Sequence, residues 1–112
     1  MIRQLKVVFR RNAWTDLDQI FWYIVETTKL PRLAHSYVRR IEDRCRRLAD
    51  APHGGRLRSD LAPGLRTVPF ERLAIICYVI EDDTVWITNV FRAGRDFEAS
   101  LRGDGPSDDQ DA

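Results

Sequence analysis

Leu5, Val7 and Phe9 alternate with Gln4, Lys6, Val8 and Arg10, a two-residue period that predicts a half-buried strand over residues 4–10. The period then lengthens. Ala13, Leu17, Ile20, Phe21 and Ile24 recur at helical spacing, with Trp14 and Val25 widening the stripe, and predict a helix from Ala13 to about Thr27. Asn12 is placed to cap it, and Asp16 and Asp18 lie near its positive end. Thr28-Lys29-Leu30 is a short link, and Pro31 suits the first turn of a second helix. There Ala34, Tyr37, Val38, Ile41, Cys45, Leu48 and Ala49 form the apolar stripe, and Arg39, Arg40, Glu42, Asp43, Arg46 and Arg47 the opposite face. So short a link predicts an antiparallel helical hairpin, ended by Pro52 and Gly54-Gly55.

After an irregular stretch from Leu57 to Pro63, three strands are expected at about 65–70, 73–80 and 84–91. The middle one, Leu73 to Ile80, is apolar on both faces, as a central strand covered on both sides would be, or one lying at a partner surface. Glu81-Asp82-Asp83-Thr84 reads as a compact hairpin turn. In the last strand Val85, Ile87, Asn89 and Phe91 alternate with Trp86, Thr88 and Val90, and residues 95–102 suit one or two helical turns. The expected fold is α+β, in the order β-α-α-β-β-β. An antiparallel helical hairpin packs on one face of a mostly antiparallel four-stranded sheet, with a short C-terminal helical segment.

A length of 112 residues gives one domain with a single modest core, here residues 1–102. The formal net charge of +1 averages two unlike parts. Four of the 17 acidic residues (Asp104, Asp108, Asp109 and Asp111) lie in residues 103–112, which hold no Lys or Arg. That leaves the body with 18 basic against 13 acidic residues, a net of +5, and suits an acidic partner, protein or nucleic acid. The tail is expected to be disordered. No apolar run nears the roughly 18 residues needed to cross a bilayer, so no membrane association is expected. Cys45 and Cys77 sit in apolar patterns away from metal-ligand spacing and are expected as buried free thiols, which suits a reducing cytoplasm.

The segments in order carry a resemblance. Ala13-x-x-Asp16-Leu17-x-x-Ile20-x-x-Tyr23-Ile24 opens it; Leu48 to Pro52, Gly55-Arg56 and Asp60 to Arg66 form the connecting segment; Val90 with Arg95-Asp96 closes it. From residue 7 to about residue 98 the chain resembles the ParE branch of the RelE/ParE toxin superfamily. It departs in the middle strand, where the family carries a pair of aromatics and Cys77-Tyr78 supplies one. A one-residue slip there flips side chains to the other face, so the local register is open.

The resemblance implies a type II toxin that inhibits DNA gyrase by binding. It further implies neutralisation by a ParD-type antitoxin in a toxin-antitoxin hetero-oligomer, with no cofactor. The alternative is a ribosome-dependent mRNA interferase of the RelE type. RNA cleavage without a metal needs a proton acceptor at the ribose, cations at the phosphate and a proton donor for the leaving oxygen. In the RelE branch Lys, Arg and a Tyr supply these, and the corresponding places here are Ala74, Ala93 and Ala99, so no catalytic residue is assigned. Convergence of Arg, Lys, His or Tyr side chains around one nucleotide-sized spot on the sheet would overturn the reading of a non-enzymatic poison.

The target-binding candidates are Arg66, Arg72, Arg92 and Arg95, with two of them open to plainer roles. Arg66 suits a salt bridge to a neighbouring carboxylate equally well, and Arg95-Asp96 a structural pair. Antitoxin-binding candidates are Trp14, Trp22, Tyr37, Arg40 and Trp86. Trp14 and Trp22 also fit helix packing, whereas Trp86 lies on a strand whose other side should meet the helices.

Overall fold

The computed structural model describes residues 4–94 and 97–102. Arg95, its proposed partner Asp96 and the tail 103–112 lie outside the described residues. The elements are β1 (Lys6–Phe9), α1 (Arg11–Thr28), α2 (Pro31–Arg46), β2 (Arg56–Leu57), β3 (Arg66–Phe70), β4 (Ala74–Glu81), β5 (Thr84–Arg92) and α3 (Phe97–Arg102), with 3-10 turns at Arg47–Ala49 and Pro52–Gly54. The sheet has five strands in the order β1-β5-β4-β3-β2. β1 runs parallel to β5 and the other pairs are antiparallel. The extra strand, β2, is two residues paired to the start of β3, inside the segment expected to be irregular.

α1 begins two residues before the expected start and uses no side-chain cap. The Arg10 N–H donates to the Ile87 carbonyl while the Arg10 carbonyl accepts from Ala13 and Trp14, so the strand's own tether to β5 starts the helix and Asn12 is not its cap. Asp16 therefore lies beyond the first turn. Its Oδ2 accepts from the Val90 N–H at 2.9 Å and from Asn89 Nδ2 at 3.3 Å, a staple between α1 and β5. At the other end Lys29 closes α1 with φ 62° and its N–H on the Val25 carbonyl, and Pro31 opens α2. α2 folds back along α1: Arg46 near its end lies over Phe9, which stacks on Trp14 near the start of α1.

The core lies between hairpin and sheet. Ala13, Leu17, Ile20, Tyr37, Ile41, Cys45 and Leu48 from the helices meet Val68, Ile76, Tyr78, Val85, Ile87 and Val90 from the strands. β4 is the central strand, and both of its faces are covered. Cys77 with partly buried Ile75 and Val79 faces away from the hairpin, under Leu61, Leu65, Phe91, Phe97 and Leu101. Both cysteines are free and buried, and burial pushes each thiol up to about 12.

The register departs from simple alternation at one place. Cys77 pairs with Asn89 but Tyr78 with Ile87, leaving Thr88 as a bulge whose hydroxyl donates to the Cys77 carbonyl at 3.2 Å. Val85 and Ile87 face the hairpin before the bulge. After it Val90 does so, and Phe91 turns to the far face against Phe97, reversing the expected parity of both.

Candidate functional site

Two hairpin turns place the side chains that matter. Phe70 accepts the Leu73 N–H at 2.9 Å, with Glu71 at φ 51° and Arg72 at φ 62° between them. Two successive left-handed residues match the right-handed twist of flanking strands, so the turn holds β3 against β4 and projects its side chains beyond the sheet. Asp82 and Asp83 repeat the arrangement between β4 and β5, the acidic turn expected there.

Between the β3–β4 turn, the end of β5 and the two helices lies a groove of about 380 Å³, at the small end of ligand-sized clefts. Ile20, Tyr23, Ile24 and Thr28 of α1 form one wall, and Leu33, Tyr37 and Arg40 of α2 another. Arg72, Leu73, Arg92 and Ala93 close the sheet end. Tyr23, Leu33 and Leu73 are exposed there, so the apolar character reaches the surface.

Each polar group of the groove has a defined state. Arg40 holds Glu71 in a two-point contact, Nη2 to Oε1 at 2.8 Å and Nε to Oε2 at 3.2 Å, and this contact keeps the Glu71 carboxyl below the usual carboxylate range. The Arg40 guanidinium also lies 5.4 Å from the Tyr37 ring centroid. Arg92 sits 3.9 Å over the Tyr23 ring. Neither Arg72 nor Arg92 forms a salt bridge among the described residues. Tyr37, only 5% exposed, packs on Phe70, and its buried hydroxyl has no hydrogen-bond partner among the described residues. Burial first, and the Glu71 charge second, push that hydroxyl up to about 12.

Of the residues singled out from sequence, Tyr37, Arg40, Arg72 and Arg92 come together here; Arg66, Trp14, Trp22 and Trp86 do not. Arg66, at the start of β3, donates to the carbonyls of Gly55 at 2.9 Å and His53 at 3.3 Å, so backbone carbonyls occupy it instead of the expected carboxylate. Trp14 and Trp22 are 46% and 53% exposed, one stacked on Phe9 and the other edge-on to Phe21, so neither is the packed core residue that helix patterning allowed. Trp86 is half-buried on the sheet face away from the hairpin, with Arg10 5.0 Å above its ring and an Nε1 lacking a partner. Tyr23, Glu71, Leu33 and Leu73 complete the groove and were not singled out. The adjacent Glu71-Arg72 pair, between two strands, was the signal for a charged turn.

The groove brings two tyrosines and three arginines to one spot, Tyr23, Tyr37 and Arg40 from the helices and Arg72 and Arg92 from the sheet end. At neutral pH the Tyr37 hydroxyl does not ionise, Glu71 is a weak base, and arginine does not give up its proton. Neither histidine and neither lysine lines it. Ala74 is buried in the core, and Ala93 lines the groove without a functional group. Among the described residues no group of three His, Cys, Asp or Glu side chains could hold a metal ion, and no helix is long and apolar enough to cross a membrane.

A helical hairpin on one face of a mostly antiparallel sheet, with an arginine-lipped groove at the sheet's end, defines a small α+β domain. The profile of the ParE toxin of type II toxin-antitoxin systems, parDE, matches residues 7–97. Toxin ParE3 of Caulobacter vibrioides is 34% identical over 80 residues, covering 71% of this chain and 79% of that protein. Among solved structures, a chain of the chromosomal ParDE toxin-antitoxin system from P. aeruginosa superposes with TM-score 0.70 at 24% identity, over 80% of this chain and 97% of that one. A chain of the RelBE2 toxin-antitoxin complex from Mycobacterium tuberculosis follows with TM-score 0.57 at 22% identity, over 85% and 98%. The chain belongs to the ParE family of type II toxin-antitoxin toxins.

Proposed function

We propose that this toxin acts by binding DNA gyrase and stabilising its cleaved complex with DNA, and that a ParD-type antitoxin neutralises it by folding a segment across its surface. The observation that carries the binding mode is the groove. Arg92 lies on the Tyr23 ring, Arg72 stands at the lip with no salt bridge among the described residues, and neither a histidine nor a lysine lines the groove. Membership of the ParE family and likeness to a toxin of a ParDE system support the target and the partner. A segment that orders only on binding covers a large area and, once proteolysed, frees the toxin again.

A RelE-type interferase is the second reading, and the convergence of Tyr23, Tyr37, Arg40, Arg72 and Arg92 is the observation in its favour. Expression without antitoxin separates the two. Gyrase poisoning gives filamentous cells and an SOS response with translation intact, whereas an interferase stops protein synthesis first. Prompt translational arrest without DNA damage signalling would overturn the gyrase reading.

A further inference from the structure

We propose that the outer face of the helical hairpin binds a single strand of DNA, with arginines of α2 on the phosphates and Trp14 and Trp22 of α1 against the bases. The choice of DNA rests on the reading that this toxin holds a cleaved gyrase–DNA complex; the face itself is a surface separate from the groove.

The packing of α2 sets its arginines. Ala34, Tyr37, Ile41 and Cys45 are buried, so the opposite side meets solvent. Arg32, Arg39 and Arg46 recur there at seven-residue intervals, a ridge with steps of about 10.5 Å, and Arg47 follows in the 3-10 turn. All four are exposed, and none forms a salt bridge among the described residues. Asp43 is the one exposed acid of α2, and Arg40, on the groove side, is already matched by Glu71. Four unmatched cations against one carboxylate suit a polyanion.

The tryptophans lie beside this ridge. Phe9 stacks on Trp14 at 4.5 Å and carries Arg46 5.2 Å over its ring, so Trp14 and Arg46 are level across the hairpin. The helices run antiparallel. Eight residues on from Trp14 and seven back from Arg46, Trp22 is therefore level with Arg39. Both indoles stand about half exposed. Arginine and tryptophan thus pair twice along the face, about 11 Å apart. An arginine neutralises a phosphate, and an indole stacks on a base whatever its identity. The bases of a duplex are already stacked on one another and would leave the indoles bare; those of a single strand cover them. Asp18 and Glu26, exposed on α1, keep the phosphates on the α2 side.

Other occupants match less. A second copy would bring one arginine ridge up to another, and peptides that dock as helices lie in grooves, whereas the outside of a hairpin is convex. Cleavage of DNA produces strand ends, and a toxin that holds one opposes its resealing. The cleaved complex then has an anchor on its DNA besides the contact with gyrase.

The test is fluorescence anisotropy of the full chain over a salt series with a labelled single-stranded DNA of mixed sequence and about 12 nucleotides, with the matching duplex and RNA as competitors. Four phosphate contacts predict a slope of log affinity against log salt of about −2.8, roughly −0.7 for each. Arg39→Gln and Arg46→Gln are each expected to flatten it by about 0.7, and Arg39→Lys, which keeps the charge, to preserve it. Trp22→Ala is expected to weaken binding about tenfold with the slope unchanged. The groove variant Arg72→Gln is the control and moves neither quantity. Urea midpoints equal to the parent's show that the variants are folded. No binding at low salt, a slope insensitive to the α2 arginines, or preference for duplex or RNA overturns the proposal. So does a slope lost in Arg72→Gln, which assigns the strand to the groove, or self-association abolished by Arg39→Gln, which assigns the face to a second copy. Gyrase inhibition is scored in parallel. Strand binding without gyrase inhibition removes the gyrase reading alone, and gyrase inhibition without strand binding removes this inference alone.

Discussion

A methyl group added at Gly55 lands 2.5 Å from the Tyr78 hydroxyl and 2.9 Å from its Cε1. Tyr78 is fully buried and cannot swing aside; its hydroxyl accepts the Gly55 N–H at 2.9 Å and donates to the Pro52 carbonyl at 2.7 Å. One tyrosine thereby ties the central strand to the 3-10 turn that follows the hairpin, and Arg66 braces the same turn from β3. Gly55→Ala is expected to cost about 1–3 kcal/mol through overpacking, read as a lower urea midpoint. Tyr78→Phe in the same chain removes the nearest clashing atom, so the double variant should lose less than the two single losses combined. Strict additivity would show that the two residues do not meet as described. Sequence marked Gly55 only as part of a Gly54-Gly55 turn, because the need for a glycine arises from a ring 23 positions away.

At the scale of elements, α3 depends on Arg58. Its side chain, 12% exposed, holds Glu98 of α3 at 2.7 Å and Asp60 of the preceding loop at 2.8 Å, and Arg102 reaches Asp60 at 3.9 Å. Arg58 keeps the Asp60 carboxyl below its ordinary value. A carboxylate depressed on folding stabilises above its unfolded pKa, about 4, and loses that contribution as pH falls through the folded value. Amide protection in α3, the intrinsic exchange rate relative to the observed rate at the same pH, is therefore expected to fall on acidification below about pH 4, and by about tenfold at neutral pH in Arg58→Ala, in which the Asp60-linked part of the acid response disappears. Exchange unaffected by Arg58→Ala would mean that the apolar contacts of Phe97 and Leu101 hold the helix alone. The helices and the four main strands were legible along the chain, most from a clear period and β4 from a continuous apolar run between turns. β2 was not, because two residues carry no period. The register was open at Cys77-Tyr78, and the Thr88 bulge lies opposite that place; its effect on Val90 and Phe91 was not legible, because either residue suits a buried position.

Over the whole molecule, the groove unites what the sequence separated. Tyr37 and Arg40 stood out as antitoxin contacts and Arg72 and Arg92 as target contacts, yet one groove holds all four. Linear order conceals this: the two pairs are more than thirty residues apart, and only the hairpin packing over the β3–β4 turn brings them together. Trp14, Trp22 and Trp86 lie on other surfaces, Trp86 on the sheet face away from the hairpin, as its place in the strand implied. The proposed action is to hold gyrase and not to cut RNA. Purified protein is incubated with gyrase, ATP and relaxed plasmid, and separately with ribosomes programmed with mRNA. The expected result is loss of supercoiling with accumulation of gyrase-linked cleaved DNA, and intact mRNA. Normal supercoiling together with mRNA cut on the ribosome would contradict the account.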